Sequence, residues 1–152
     1  PTGRYLMDRQ VGEAVQAQLK EVGITAEIVA PDWGALTAAL NKLTEIPMFL
    51  MGKGSPTGDL DLTLTLGTQT GGRINHFNYS NAEVDRLIAL QRQATDGAER
   101  QQILRRIQEK LYEEVPAVVV FYEEQLYGAR SSVQGVEVHP NESVSFARAW
   151  KQ

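Results

Sequence analysis

The chain has 152 residues and no cysteine, and its hydrophobic fraction, 42%, is typical of a globular protein with one buried core. The formal net charge is −4, with lysine and arginine scattered among acids, which argues against a nucleic-acid binder because such proteins carry a basic face. The missing cysteine excludes disulfides, thiol catalysis and thiolate metal sites but leaves the compartment open. The two histidines have no metal-ligand spacing, so we predict no metal and no cofactor.

The first part of the chain predicts helices and strands in alternation. Apolar residues at three- and four-residue steps predict a helix over 4–22. Alternating apolar residues predict a strand over 24–29, and Asp32 is the expected cap of a second helix over 33–43. Helix and strand in this order predict right-handed crossovers and a largely parallel sheet.

The next predicted strand, 47–51, contains a continuous apolar run of the kind that is buried on both faces within a sheet. The turn-rich segment 52–58 follows it and contains glycine, proline, serine and threonine. Such a segment can expose backbone N–H groups and hydroxyls at the edge where open α/β sheets receive ligands. An ordinary connection between a strand and a helix has the same composition. Asp59 is the expected cap of the helix that follows.

The second part of the chain predicts two helices joined by a short turn, an αα-hairpin. Ser80 and Glu83 have the spacing of a capping box, and Asp96 and Glu99 repeat it at the second helix. Pro116 ends that helix.

The C-terminal part predicts mostly extended structure. The continuous apolar run over 117–122 predicts a central strand. Valines around Gly135 predict short extended pieces, and 145–150 predicts a short edge strand.

Four segments in order carry a combined pattern: GRY and EAVQAQLKEVGI within 3–24, PMFLMGKGSPTGD at 47–59, NYSNAEVDRLI at 78–88 and EEVPAVVVFY at 113–122. Together they resemble the C-terminal lobe of the bacterial extracellular solute-binding proteins of family 5. Proteins of this family serve ABC importers of oligopeptides, dipeptides, glutathione and nickel chelates. The resemblance covers essentially the whole chain.

The resemblance implies an α/β fold of the type II periplasmic-binding-protein kind, with a mixed, mostly parallel sheet flanked by helices. It also implies that 1–152 is a single domain, one lobe of a larger protein whose N-terminal lobe is outside the chain. The chain opens on a predicted helix without a preceding strand, which agrees with this expectation. The implied partners are a small peptide or related solute, the missing lobe and the membrane permease of an ABC importer. The implied location is the periplasm or the cell surface, with or without a lipid anchor.

Ligand binding is expected at the segment after 47–51 and at polar or aromatic side chains around it. Peptide binders of the family often carry an aspartate, which pairs with the α-amino group of the peptide, where this chain has Pro56. They usually carry a tryptophan where it has Lys53, a difference that is expected to change the pocket wall or the solubility. The candidate ligand-binding residues are Arg4, Tyr5, Gly54, Ser55, Pro56, Thr57, Gly58, Asp59, Asn75 and Tyr79.

Two other functions remain open at this point. The same lobe could be a ligand-sensing regulatory module, which the sequence upstream would distinguish from a transport protein. Asp59 and Asp61 could be the carboxylate pair of a hydrolase, but the sequence places no further acid or histidine at a recognisable spacing, so we expect no enzyme.

Overall fold

The structure is a computed structural model that describes residues 1–42 and 46–152. Contacts group the chain into two compact units, Pro1–Lys53 and Gly54–Gln152. The prediction that the chain is a single domain stays a prediction. The predicted end of the second helix, Leu43, lies outside the described residues.

The first unit contains two helices, α1 (Asp8–Glu21) and α2 (Trp33–Asn41). The carboxylate of Asp8, the first residue of α1, accepts a hydrogen bond from the backbone N–H of Arg4 at 3.0 Å. The predicted cap of α2 is confirmed, because Asp32 Oδ1 accepts from the backbone N–H of Ala35 at 2.8 Å. Helix α2 therefore begins where a carboxylate satisfies a backbone donor that has no partner within the helix, whereas the Asp8 carboxylate binds the segment that precedes α1.

The second unit contains three helices, α3 (Leu60–Gly67), α4 (Ala82–Gln93) and α5 (Gly97–Glu114). Helices α4 and α5 pack against each other, which confirms the predicted αα-hairpin, and α3 packs against α4. The core of this unit is a cluster of aliphatic side chains from all three helices, namely Leu64, Val84, Leu87, Ile88 and Ile107.

Local signals in the sequence place the ends of these helices, with one correction. The predicted cap Asp96 is confirmed, since its carboxylate accepts from the backbone N–H of Ala98 at 2.7 Å. The cap of α4 is Asn81 rather than Ser80, because Asn81 Oδ1 accepts from the backbone N–H of Glu83 at 2.9 Å. Asparagine and serine stabilise helix starts about equally well, so the sequence alone does not decide which of two adjacent residues is the cap. The choice depends on the residue at which the helical dihedral angles begin.

The C-terminal part of the second unit is an interrupted antiparallel hairpin. Strand β1 (Val133–Gln134) pairs with β4 (Trp150–Lys151), and β2 (Glu137–Val138) pairs with β3 (Val144–Ser145). Gly135 between β1 and β2 has φ of 72°, and a Cβ atom there would collide with the carbonyl of Arg148. Strands β1 and β2 confirm the predicted extended pieces around Gly135, whereas the predicted edge strand over 145–150 is interrupted by a turn between β3 and β4.

The described residues show no parallel strand pair, so the mostly parallel part of the predicted sheet is not borne out. Segments 24–29, 47–51 and 117–122 join no β-ladder, and the four strands pair only in antiparallel fashion. An apolar pattern reports a preference for burial, whereas a strand also needs a neighbour to which it can hydrogen-bond.

The apolar segment 117–122 lies exposed instead of forming a central strand. Val118, Val119 and Tyr122 have 78%, 74% and 92% of their surface accessible. Met48 in the predicted strand 47–51 is also exposed, at 58%. Among the described helices, none has both the length and the apolar character needed to cross a membrane.

Candidate functional site

The predicted ligand-binding loop, here loop 54–58, has a defined conformation held by its own hydrogen bonds. All its residues are exposed except Ser55, which is half-buried. The hydroxyl of Ser55 donates to the carbonyl of Asp59 at 2.6 Å, and the N–H of Gly58 donates back to the carbonyl of Ser55 at 3.1 Å. Gly58 has φ of 71°, a left-handed conformation that glycine adopts without strain. The loop is therefore an exposed turn.

Two contacts from other segments of the second unit fix the loop from outside. The hydroxyl of Thr63 in α3 donates to the carbonyl of Gly54 at 3.4 Å. The side-chain amide of Asn141, between β2 and β3, donates to the carbonyl of Pro56 at 2.9 Å. The C-terminal hairpin thus supports a loop 85 positions earlier in the sequence.

Asp59 ends the loop and caps α3, as predicted, and it also forms an ion pair. Its Oδ1 atom accepts from the backbone N–H of Asp61 at 2.7 Å. The guanidinium of Arg100 binds both carboxylate oxygens, with NH1 to Oδ2 at 2.8 Å and NH2 to Oδ1 at 2.7 Å. The bonds from Arg100 and the N–H of Asp61 lower the pKa of Asp59 to about 2.

Asp61 belongs to the same network through α4. Its Oδ1 atom accepts from Nε of Arg92 at 2.7 Å and from the side-chain amide of Gln91. Gln91 is buried, and its Oε1 atom accepts from Nε of Arg100 at 2.9 Å. These five residues, Asp59, Asp61, Gln91, Arg92 and Arg100, are called the α3 network below.

Asn75 is buried, and its side chain closes the segment between α3 and α4. The Nδ2 atom donates to the carbonyls of Gln69 at 3.0 Å and Tyr79 at 2.8 Å, while Oδ1 accepts from the N–H of Tyr79 at 3.2 Å. Both ends of the amide are in use, so these contacts give Asn75 a structural role.

Tyr79 is half-buried, and its hydroxyl is also engaged. It donates to Oε2 of Glu114 at 2.7 Å, and Oε1 of the same carboxylate accepts from the side chain of Asn81 at 2.6 Å. Burial and the neighbouring carboxylate raise the pKa of Tyr79 above its usual value. The contact joins the cap of α4 to the last turn of α5.

Arg4 and Tyr5 lie together in the first unit. The guanidinium of Arg4 is 5.6 Å from the ring centre of Tyr5 and 5.3 Å from that of Trp33. The two rings meet edge to face with their centres 6.1 Å apart. The Tyr5 ring also lies against Gly52, where a Cβ atom would approach it to 2.7 Å. The two rings restrict the movement of the exposed Arg4 guanidinium, and its planar shape suits a planar anion such as a carboxylate.

The predicted site residues therefore form three local groups: loop 54–58 with Asp59, the pair Asn75 and Tyr79, and the pair Arg4 and Tyr5. Sequence reasoning missed the residues that hold the loop, Arg100 and Asn141. One signal was available for the network, because Gln91 continues the apolar stripe of α4 and a polar residue there indicates a buried hydrogen bond.

Two further features of the described residues bear on function: possible metal ligands and a surface groove. Residues 1–42 and 46–152 contain no cluster of three or more histidine, aspartate or glutamate side chains placed to hold a metal ion. A shallow groove of about 170 Å³ lies away from loop 54–58 and is lined by charged side chains, Glu83, Arg106, Glu109, Lys110 and Glu113. Several of these pair with one another, as Arg106 does with Glu83 at 3.4 Å.

Comparison with known proteins shows what this chain is similar to. The glutathione-binding protein GsiB of Pectobacterium atrosepticum is 28% identical to the chain over 149 residues, a match that covers 93% of the chain. GsiB of Escherichia coli strain K12 matches with the same identity and coverage. The chain is thus similar to one part of family 5 solute-binding proteins. It spans 29% of the length of these curated relatives. No family model matches the chain.

Solved structures of family 5 proteins share the fold. The pheromone receptor PrgZ, solved with its mode of peptide binding, superimposes with a TM-score of 0.72 at 19% identity, over 94% of this chain and 27% of that one. NikA from Staphylococcus aureus, in complex with Ni(L-His)2, gives 0.64 at 21% identity, over 89% of this chain and 29% of that one. The predicted type II periplasmic-binding-protein fold class is thereby confirmed, without its parallel sheet.

Proposed function

We propose that the chain is one lobe of the solute-binding component of an ABC importer. The observation that carries the proposal is the match of 93% of the chain to one segment of glutathione-binding proteins, together with the shared fold. In a two-lobed protein the ligand binds in the cleft and the lobes close over it. The solute is a peptide or a related small polar compound. The protein acts in the periplasm or at the cell surface, hands the solute to a membrane permease, and catalyses no reaction.

Loop 54–58 is the part of the proposed site that best fits ligand contact. It is exposed and preformed, so little conformational entropy is lost when a ligand binds it. Within the first unit, Arg4 and Tyr5 are proposed as ligand-binding residues, because the Arg4 guanidinium suits a carboxylate. The side chains of Asn75 and Tyr79 already have hydrogen-bond partners within the protein. Their proposed role at the site is therefore to hold the local backbone in position.

Asp59 is proposed to act at the site through its cap and its ion pair. Arg100 covers both carboxylate oxygens, so a direct contact with a cationic ligand group would have to compete with a bidentate pair. Pro56 also lacks the carboxylate that peptide binders of the family often have there. A ligand held mainly through its α-amino group is therefore disfavoured.

The test uses the full-length protein that contains this chain. Thermal unfolding is measured with glutathione and a panel of di- and tripeptides, because a ligand at about 100 times its Kd stabilises the native state by about 2.7 kcal/mol. A side chain at Gly54 enters open space, so Gly54→Trp should leave the fold intact. The indole ring should block access of the ligand to the loop and weaken binding about tenfold or more. Gly128→Trp is the matched control, because Gly128 also faces open space and lies outside the loop. No stabilisation by any compound would contradict the proposal.

A further inference from the structure

The contact between Asp59 and Arg100 joins two parts of the second unit that are 41 positions apart in sequence. Two guanidinium nitrogens of Arg100 meet the two carboxylate oxygens at 2.8 and 2.7 Å, which is the geometry of a bidentate pair. Such a pair fixes orientation as well as distance, because the planar fork matches the carboxylate in one arrangement. Arg100 in α5 therefore determines how the side chain of Asp59 is oriented.

The orientation of Asp59 is transmitted to loop 54–58 through the backbone. Its carboxylate caps α3 through the N–H of Asp61, and its carbonyl accepts from the hydroxyl of Ser55 at 2.6 Å. The side chain of Asp59 thus sets the start of the helix, while its backbone closes the turn of the loop. A change in the position of Asp59 would alter the loop and the first turn of α3 together.

Arg100 is itself held in one position by a buried partner. Its Nε atom donates to Oε1 of Gln91 at 2.9 Å, and Gln91 is only 1% exposed. The other end of the Gln91 amide donates to Asp61 in the first turn of α3. Three donors of Arg100 therefore have acceptors in a closed network, which leaves the guanidinium little freedom to turn toward solvent.

We propose that Arg100 is the positioning residue of loop 54–58, which it holds in the shape that receives the ligand without touching the ligand itself. This inference rests on the proposed function of the loop. The remaining α3 network supports Arg100: Gln91 orients its guanidinium, and Asp61 with Arg92 fixes the first turn of the same helix. A residue that only added general stability would affect the whole unit, whereas a positioning residue affects the loop first.

The first experiment needs no ligand. Amide hydrogen exchange is measured in the full-length protein for residues 54–61 and, as an internal reference, for α4. Arg100→Met should speed exchange in 54–61 about tenfold and leave the exchange rates in α4 unchanged. Loss of the ion pair lets the loop open locally without unfolding the rest of the unit. Arg106→Met is the matched control on the same helix, since Arg106 contacts Glu83 instead of Asp59. Equal rates in 54–61 for wild type and Arg100→Met would overturn the proposal.

The second experiment measures glutathione binding by calorimetry. Arg100→Met should raise Kd about tenfold, a factor expected for loss of a charged hydrogen-bonded pair. Arg100→Lys keeps the charge without the fork and should lose most of the same affinity. Asp59→Asn combined with Arg100→Met should be no worse than either change alone, since both remove one interaction. An unchanged Kd in Arg100→Met would also overturn the proposal.

The two experiments separate failure of this inference from failure of the proposed function. If the wild type does not bind glutathione, that result counts against the proposed function with this probe. The exchange rates would still decide the role of Arg100.

Discussion

At the scale of single residues, the carboxylate of Asp59 accepts a backbone hydrogen bond and a bidentate guanidinium at once. The pair is partly exposed, with 30% of the Arg100 side chain and 45% of the Asp59 side chain accessible, so water weakens its contribution to stability. Its main effect is geometric, because it fixes where α3 begins and where loop 54–58 ends.

The lowered pKa of Asp59 gives a prediction for acid stability. The folded-state pKa, about 2, lies below the usual 3.8, so ionised Asp59 stabilises the native state above about pH 4. This contribution should be lost as the pH falls from about 4 to about 2, as Asp59 is protonated. The carboxyl carbon shift of Asp59 in an NMR titration checks the value. Arg100→Met should move the midpoint up toward 3.8, and Arg106→Met should leave it in place. A wild-type midpoint at 3.8 would contradict the prediction.

Asn75 gives a second prediction at this scale. Asn75→Ala removes bonds to Gln69 and Tyr79 from a buried position and leaves backbone groups unsatisfied. We expect a loss of about 1–3 kcal/mol in the free energy of unfolding, measured with urea. The control Gln93→Ala changes an exposed side chain at the end of α4 and should stay within about 0.5 kcal/mol. Equal values for the two variants would show that the Asn75 amide is not structural.

The candidate site shows why sequence reasoning reached the loop but not its support. Glycine, proline and small hydroxyl residues after an apolar run are a local signal, and 54–58 is indeed an exposed turn. The partner of Asp59 is Arg100, which is 41 residues away and lies on α5. The apolar pattern of that helix identifies its buried face and gives no information about contacts of the other faces. A helical pattern tells which residues point inward, but it does not tell which acid an outward arginine will meet.

At the scale of elements, the pair α4 and α5 provides the core of the second unit, where Leu87, Ile88 and Ile107 are almost fully buried. Leu87→Ala should lower the free energy of unfolding by about 2–5 kcal/mol, because it removes buried methyl groups and leaves a cavity. Denaturant unfolding followed by circular dichroism gives the value. Leu90→Ala on the same helix is the control, since Leu90 is 36% exposed and should cost only about 1 kcal/mol. A smaller loss for Leu87→Ala than for Leu90→Ala would place the core elsewhere.

The elements that were predicted correctly are the ones that local sequence determines. Helix α2 begins after Asp32 and α5 after Asp96, where a carboxylate satisfies nearby N–H groups. The predicted strands 24–29, 47–51 and 117–122 are not strands, since each would need a distant segment at hydrogen-bonding distance. The strands that do form belong to one hairpin, whose partners follow each other closely in the chain.

At the scale of the whole molecule, the apolar segment 117–122 is a run of exposed apolar side chains, which is unusual on a protein surface. Its valines and aromatic residues are exposed, and its backbone joins no β-ladder. Segments of this kind are prone to pair with one another. Val119→Lys should therefore reduce self-association of the isolated chain, measured by sedimentation at several concentrations. The control Gln125→Lys adds the same charge at an exposed polar position. Equal association of both variants would show that net charge, and not Val119, controls the effect.

The same exposed valines and aromatic rings determine how a preparation of this chain will respond to its solvent. Contact between apolar surfaces strengthens on warming and in the presence of sulfate, and it weakens in dilute urea. A clear cold sample should become turbid when it is warmed or salted, and cooling early should clear it again. Purification in the cold, at low salt and modest concentration, is therefore expected to keep the chain dispersed.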